Sequence, residues 1–229
     1  MLEKLSKEQK AKFDRLAEML IVANRRVNLT RIAEPGEIRV RHFEDSLIIL
    51  DRLREIEAAG RGTCSLADIG SGAGFPALAL SIALPGWEVV SIEATGKKCD
   101  FQREAARELG LGNVEVIKGR AEELGRGERM RERFDAVTSR AVGSLAVNVE
   151  LSLPLLKVGG KFFAWKGPKV DEDLEEGKEM LEKLGAGEVV MWKYQLPGAE
   201  GDFRIVEAAK TKKTPRQYPR EFKVMKKHK

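Results

Sequence analysis

Residues 66–83 read LADIGSGAGFPALALSIA. Gly70, Gly72 and Gly74 follow an acid, Asp68, and lead through Phe75 and Pro76 into an apolar run. Glycine lets a backbone turn sharply and lets a ligand approach where a Cβ would collide. The stretch therefore reads as a strand-to-helix turn around a ligand, at the carboxyl end of a strand, where open α/β sheets bind their ligands. A P-loop is excluded, because no Lys-Ser/Thr follows the glycines to reach phosphates and magnesium. The dinucleotide pattern G-x-G-x-x-G is out of register, since Phe75 stands where its third glycine belongs, and this disfavours a nicotinamide dehydrogenase. Glu93 closes the next expected strand, 25 positions after Asp68. There a carboxylate accepts hydrogen bonds from both hydroxyls of a ribose, whichever cofactor carries it.

The elements that must hold these residues are visible as changes of rhythm. Over residues 1–59, Phe13, Leu16, Leu20, Ala23 and Val27 recur at helical spacing, and Val40, Phe43, Leu47 and Leu50 repeat it after Pro35. Between them NRRVNLTRI reads as a polar linker. From residue 65 short apolar runs alternate with amphipathic segments, and strands are expected at 65–69, 89–93, 114–118, 134–138 and 161–165. Two last runs, 188–194 and 203–209, are joined by QLPGAEGD without room for a helix and should pair as a hairpin. The expectation is an α/β fold with a doubly wound, mostly parallel seven-stranded sheet. Its divisions are a helical N-terminal extension over 1–60, a core over 61–209 and a basic tail over 210–229.

With 229 residues, 42% of them hydrophobic, the chain has ample material for a core. Two cysteines, Cys64 and Cys99, are too few for a disulfide framework. Neither a signal-peptide pattern nor a run of about 20 apolar residues is visible, so a cytoplasmic protein away from the membrane is expected. The net charge of +5 is a property of one end: the last twenty residues hold nine Lys/Arg and one acid, while residues 1–209 carry 32 bases and 35 acids. Tyr218 and Phe222 lie among those charges as stacking surfaces, which favours contact with a nucleic acid over a merely solvated end.

The pattern D-x-G-x-G-x-G resembles the first motif of class I S-adenosylmethionine-dependent methyltransferases, whose cofactor carries an ammonium and a sulfonium and no phosphate. LLKVGGKFFAW resembles the turn into their fifth strand, and GRAEEL stands where an Ala-Glu pair would flank an adenine. In these enzymes the segment after the fourth strand meets the acceptor, and here it is TSRAVGSL. It lacks the Asn/Asp-Pro-Pro-aromatic motif of amino-group methylation. Neither cysteine is placed as the nucleophile of carbon-5 methylation, Cys99 reading as a buried structural thiol. His42 reads as part of a helix surface, neither it nor His228 is supported as a ligand, and no metal is expected. What remains is an acceptor needing little activation, such as guanine N7, which offers an in-plane lone pair. No catalytic residue is assigned.

NLTRI, RHFEDSL, DIGSGAGFP, SRA, WKG and YPR together resemble the small-subunit ribosomal RNA guanine-N7 methyltransferases, once called glucose-inhibited division protein B. The resemblance covers nearly the whole chain. It implies methyl transfer from S-adenosyl-L-methionine to N7 of one guanine in the 530 loop of 16S ribosomal RNA. With the loop residues Asp68 and Gly72, it places Gly70, Phe75, Glu93, Ala94, Thr95, Ala121, Glu122 and Arg140 at the cofactor. Gly96 and Ala73 depart from residues common in the family. Arg31, Arg41, Lys166, Lys213, Arg216 and Arg220 are expected to meet RNA. The expected partner is 16S ribosomal RNA or the small ribosomal subunit, with the enzyme a monomer. The rivals are a methyltransferase for another RNA base or a protein, and a non-catalytic RNA-binding module keeping its cofactor loop.

Overall fold

The computed structural model describes residues 1–60, 62–167 and 170–225, with the side chain of residue 173 left aside. Residues 226–229 of the basic tail, His228 among them, lie outside the described residues.

Helix α1 (Lys7–Val27) opens on a capping box in which the Gln9 N–H donates to the Ser6 hydroxyl and the Ser6 N–H donates to the Gln9 side chain. These bonds satisfy donors that a helix start leaves unpaired. Its Phe13, Leu16 and Leu20 are buried, and it stops at Asn28 with φ 49°, a left-handed conformation that asparagine tolerates. The stretch NRRV is therefore the last turn of a helix and not a linker: its polar residues are the solvent side of an amphipathic helix. Helix α2 (Pro35–Ile38) has its proline in the first turn, as expected. A π-helical turn over Arg39–Glu44 follows, then α3 (Asp45–Leu47) and α4 (Leu50–Ala59). The wider π winding displaces the side-chain register, so Val40 is only half-buried while His42 and Phe43 both point into the protein.

The strands are β1 (Ser65–Ile69), β2 (Glu88–Glu93), β3 (Val114–Lys118), β4 (Phe134–Arg140), β5 (Leu156–Lys166), β6 (Ala186–Leu196) and β7 (Ala199–Lys210), in the order β3-β2-β1-β4-β5-β7-β6. The first five in that order run parallel; β7 is antiparallel to β5 and forms the expected hairpin with β6. The connecting helices are α5 (Ala77–Ala83), α6 (Gly96–Glu108), α7 (Ala121–Leu124), α8 (Leu145–Ser152) and α9 (Val170–Lys183), with α10 (Phe222–Met225) in the tail. The strand order reverses between β1 and β4, which opens a crevice at their carboxyl ends.

Each face of the sheet has its own apolar layer. Phe13, Leu16, Leu20, Phe43 and Leu47 share one with Leu66, Phe75, Leu78 and Leu80, so the N-terminal helices cover the sheet side of the glycine turn. Val137, Leu145, Val149, Phe162 and Leu181 make the other. The tail also lies on the body. Arg131 donates to the carbonyls of Tyr218 at 2.7 Å and Thr214 at 2.8 Å. The buried Lys210 ammonium donates to Glu132 and to the carbonyls of Leu153 and Leu156.

Candidate functional site

The glycine turn is built without a ligand. Gly70 N–H donates to the Ile92 carbonyl at 2.9 Å, and Gly74 N–H to the Ser71 carbonyl at 2.8 Å. Asp68 is fully buried: Thr138 donates to one carboxylate oxygen at 2.9 Å and the Ala77 N–H to the other at 3.2 Å. Burial pushes its carboxyl up to about 6 against these hydrogen bonds. Asp68 thus braces the turn from below. Glu93 grips it from above, accepting from Gly72 N–H at 2.9 Å and from Thr95 N–H at 2.8 Å, while Gln102 donates to the Gly72 carbonyl. Added Cβ atoms separate the glycines by role. At Gly74 a Cβ would lie 2.5 Å from Leu78, whereas at Gly72, with φ +60°, nothing stands closer than 3.9 Å. Gly74 is a packing glycine; Gly72 faces open space beside a carboxylate. Ala94 and Thr95 are exposed next to it, and Ala121 and Glu122 are buried at the start of α7, where Arg120 pairs with Glu122 at 3.0 Å.

Arg140, the last residue of β4, is held from three sides. It donates to Asp45 Oδ2 at 2.8 Å, to the Arg41 carbonyl at 3.1 Å and to His42 Nδ1 at 3.0 Å. Asp45 in turn accepts from the Tyr194 hydroxyl, and its carbonyl accepts from the Trp165 indole at 3.1 Å. His42 is not part of a helix surface: it is 5% exposed and stacks on Phe75 with ring centroids 4.5 Å apart. The displaced register of the π turn carries it inward. Burial first, then Arg140 and Arg41, bring its pKa down to about 3. Sequence reasoning missed Asp45, Tyr194 and Thr30, whose hydroxyl lies 3.0 Å from His42 Nε2, as members of this cluster. Cys64 and Cys99 are buried, and burial raises both thiols.

A family model described as rRNA small subunit methyltransferase G matches residues 9–197. The chain belongs to this family. Ribosomal RNA small subunit methyltransferase G of Lactobacillus delbrueckii subsp. bulgaricus is 43% identical over 219 residues, 95% of this chain and 90% of that protein. The protein of the same name from Streptococcus pyogenes serotype M12 is 41% identical over 217 residues, 94% and 89% of the two chains. Among solved structures, a SAM-dependent O-methyltransferase from Thermotoga maritima superposes with a TM-score of 0.58 at 17% identity, covering 86% of this chain and 73% of that one. An rRNA methylase from Streptococcus thermophilus gives 0.53 at 16% identity, covering 71% and 96%. These two show the fold alone, that of a class I methyltransferase.

The cations expected at RNA divide in two. Arg31, Arg41, Lys213 and Arg216 are exposed at the surface of the methyltransferase, as is Lys212. Lys166 donates to the Gly143 carbonyl at 2.8 Å. Arg220 is engaged inward: its backbone N–H and guanidinium converge on Glu150, which is 1% exposed, at 2.6–2.8 Å. Removing one partner of such a pair leaves a buried charge unpaired. Arg220→Ala should therefore cost about 3 kcal/mol of stability, the low end for a buried pair because the arginine itself is partly exposed. Neutralising Lys212, Lys213 and Arg216 should leave stability unchanged and flatten the salt dependence of RNA binding. Melting curves and RNA affinity at several salt concentrations check both halves. An unchanged slope in the triple variant would mean that RNA approaches from elsewhere.

Proposed function

We propose that this family member transfers a methyl group from S-adenosyl-L-methionine to N7 of a guanine in the 530 loop of 16S ribosomal RNA. The observation that carries the reading is Gly72, half-buried with open space where a Cβ would stand and bonded to the Glu93 carboxylate near the β1–β4 switch point, in a chain that matches the family over nearly its full length. The Glu93 carboxylate suits a ligand with ribose hydroxyls and positive charge, and its own charge disfavours a phosphate beside it. Each Glu93 oxygen accepts one N–H, which leaves a lone pair on each for the two ribose hydroxyls. In this reading Gly70, Ala94 and Thr95 border the ribose, Ala121 and Glu122 flank the adenine, and Asp68 and Phe75 hold the turn in shape.

When bound, the cofactor supplies a methyl on a sulfonium: the N7–carbon bond forms as the carbon–sulfur bond breaks, and its electron pair stays on sulfur. Guanine N7 has no proton to lose, so the protein need only align the base and exclude water. In this reading Arg140, held at the end of β4 by Asp45, His42 and the Arg41 carbonyl, aligns the base. Lys212, Lys213 and Arg216, with Arg31 and Arg41, would supply affinity without sequence information. We assign the active form as a cytoplasmic monomer. Among the described residues no helix is long and apolar enough to cross a membrane.

The test is incubation with methyl-labelled cofactor and either 16S RNA or small subunits. Label in small-subunit RNA is expected, and none in 23S RNA; absence of label from both small-subunit substrates contradicts the proposal.

A further inference from the structure

Three bonds around one imidazole determine its state. Arginine has only donors, so the Arg140 guanidinium 3.0 Å from His42 Nδ1 requires a bare nitrogen there. A neutral imidazole then carries its proton on Nε2, which lies 3.0 Å from the Thr30 hydroxyl oxygen. The Thr30 hydroxyl oxygen must then accept a hydrogen bond from Nε2–H, as it also accepts one from the Ile32 N–H at 3.1 Å. An imidazolium would turn a second N–H toward Arg140. Thr30 is itself locked to α1: its N–H donates to Asn24 Oδ1 and its carbonyl accepts from Asn24 Nδ2, both at 2.9 Å. The other face of the ring lies nearly parallel to Phe75, at 8°.

We propose that His42, as a neutral Nε2–H imidazole seated by Thr30 and Asn24, is a positioning residue for methyl transfer. It sets the guanidinium of Arg140 and the Phe75 corner of the glycine turn relative to one another. The helical N-terminal layer is then part of the catalytic apparatus, joined to the cofactor side and the acceptor side through one ring. Asp45 completes the hold on Arg140, and Tyr194 and Trp165 keep Asp45 in place. The inference rests on the proposed reaction for its consequence, and on hydrogen-bond chemistry alone for the state of the ring.

Two amide replacements divide the ring's duties. In His42→Asn the amide oxygen takes the place of Nδ1 and still accepts from Arg140, whereas His42→Gln puts its amide where Nε2 stood and leaves Arg140 without that acceptor. Single-turnover transfer at saturating cofactor and RNA, per folded molecule, should fall about tenfold or more in His42→Gln and His42→Leu, and recover to within about threefold of the parent in His42→Asn. Thr30→Val, of nearly the same shape, should lower the rate a few-fold while cofactor affinity holds. Nitrogen-15 spectra of the parent should show the imidazole neutral and protonated on Nε2. Equal rates for the three His42 variants, or a ring protonated on Nδ1, overturn the proposal. A parent that methylates no small-subunit RNA refutes the functional reading instead, and the relay is then judged on the spectrum, which needs no activity and no variant that folds.

Discussion

Arg140→Ala should slow methyl transfer about a hundredfold per folded molecule, the scale of loss when a reacting group is no longer held in line. The side chain touches Asp45, His42 and the Arg41 carbonyl, and is 18% exposed, so it is a rigid fixture and not a surface ion pair. The same substitution leaves Asp45, 7% exposed, with the Tyr194 hydroxyl but no cation. A stability loss of about 3 kcal/mol should accompany the loss of rate, as for other buried pairs deprived of one partner. Arg140→Lys keeps the charge but not the fork that meets Asp45 and His42 at once, and should recover stability more than rate. Single-turnover kinetics with the folded fraction measured in parallel separates the two effects. Loss of melting temperature with unchanged activity per folded molecule would reduce Arg140 to a structural role.

The second large effect is expected at the cofactor. Glu93→Ala removes a carboxylate that can accept from two ribose hydroxyls, and hydrogen bonds to a charged group contribute about 1.5–3 kcal/mol each. Affinity for S-adenosyl-L-methionine should therefore fall about a hundredfold or more. Gly72→Leu should do the same by a different route: its φ of +60° disfavours any side chain, and a leucine would fill the open space beside Glu93. Gly74→Ala meets Leu78 at 2.5 Å and should cost stability as well as binding. Calorimetry that finds Gly72→Leu binding the cofactor as well as the parent would show that the ligand does not pass there.

Much of this is legible in the sequence, because the physics involved is local. Parallel strands show as short apolar runs, and the five parallel strands fell where such runs lie, with the antiparallel hairpin recognised from a loop too short for a helix. The glycine turn was legible because only glycine relieves the crowding at Gly74 and the positive φ at Gly72. What the sequence hid is long-range or depends on winding. His42 looked like a surface residue because helical spacing is counted at 3.6 residues per turn, and a π turn at Arg39–Glu44 breaks that count. The tail's contacts with the body were not legible, because composition reports charge and not partners. Glu150 lies 70 positions from Arg220, and Arg131 lies 83 and 87 positions from the carbonyls of Thr214 and Tyr218. NRRV looked like a linker because its outward residues are polar, although Asn28 carries the stop signal just beyond it.

The central claim, that the Gly72–Glu93 crevice serves N7 of one guanine in the 530 loop, is tested most directly by mapping the methyl group. Small-subunit RNA that lacks the modification is incubated with the enzyme and S-adenosyl-L-methionine, then cut at N7-methylguanine by borohydride reduction and aniline-promoted strand scission, and the fragments are sized. One cleavage within the 530 loop, absent with Glu93→Ala, is the predicted result. Methyl transfer that gives no such cleavage, or cleavage at a guanine elsewhere in the RNA, would contradict the account.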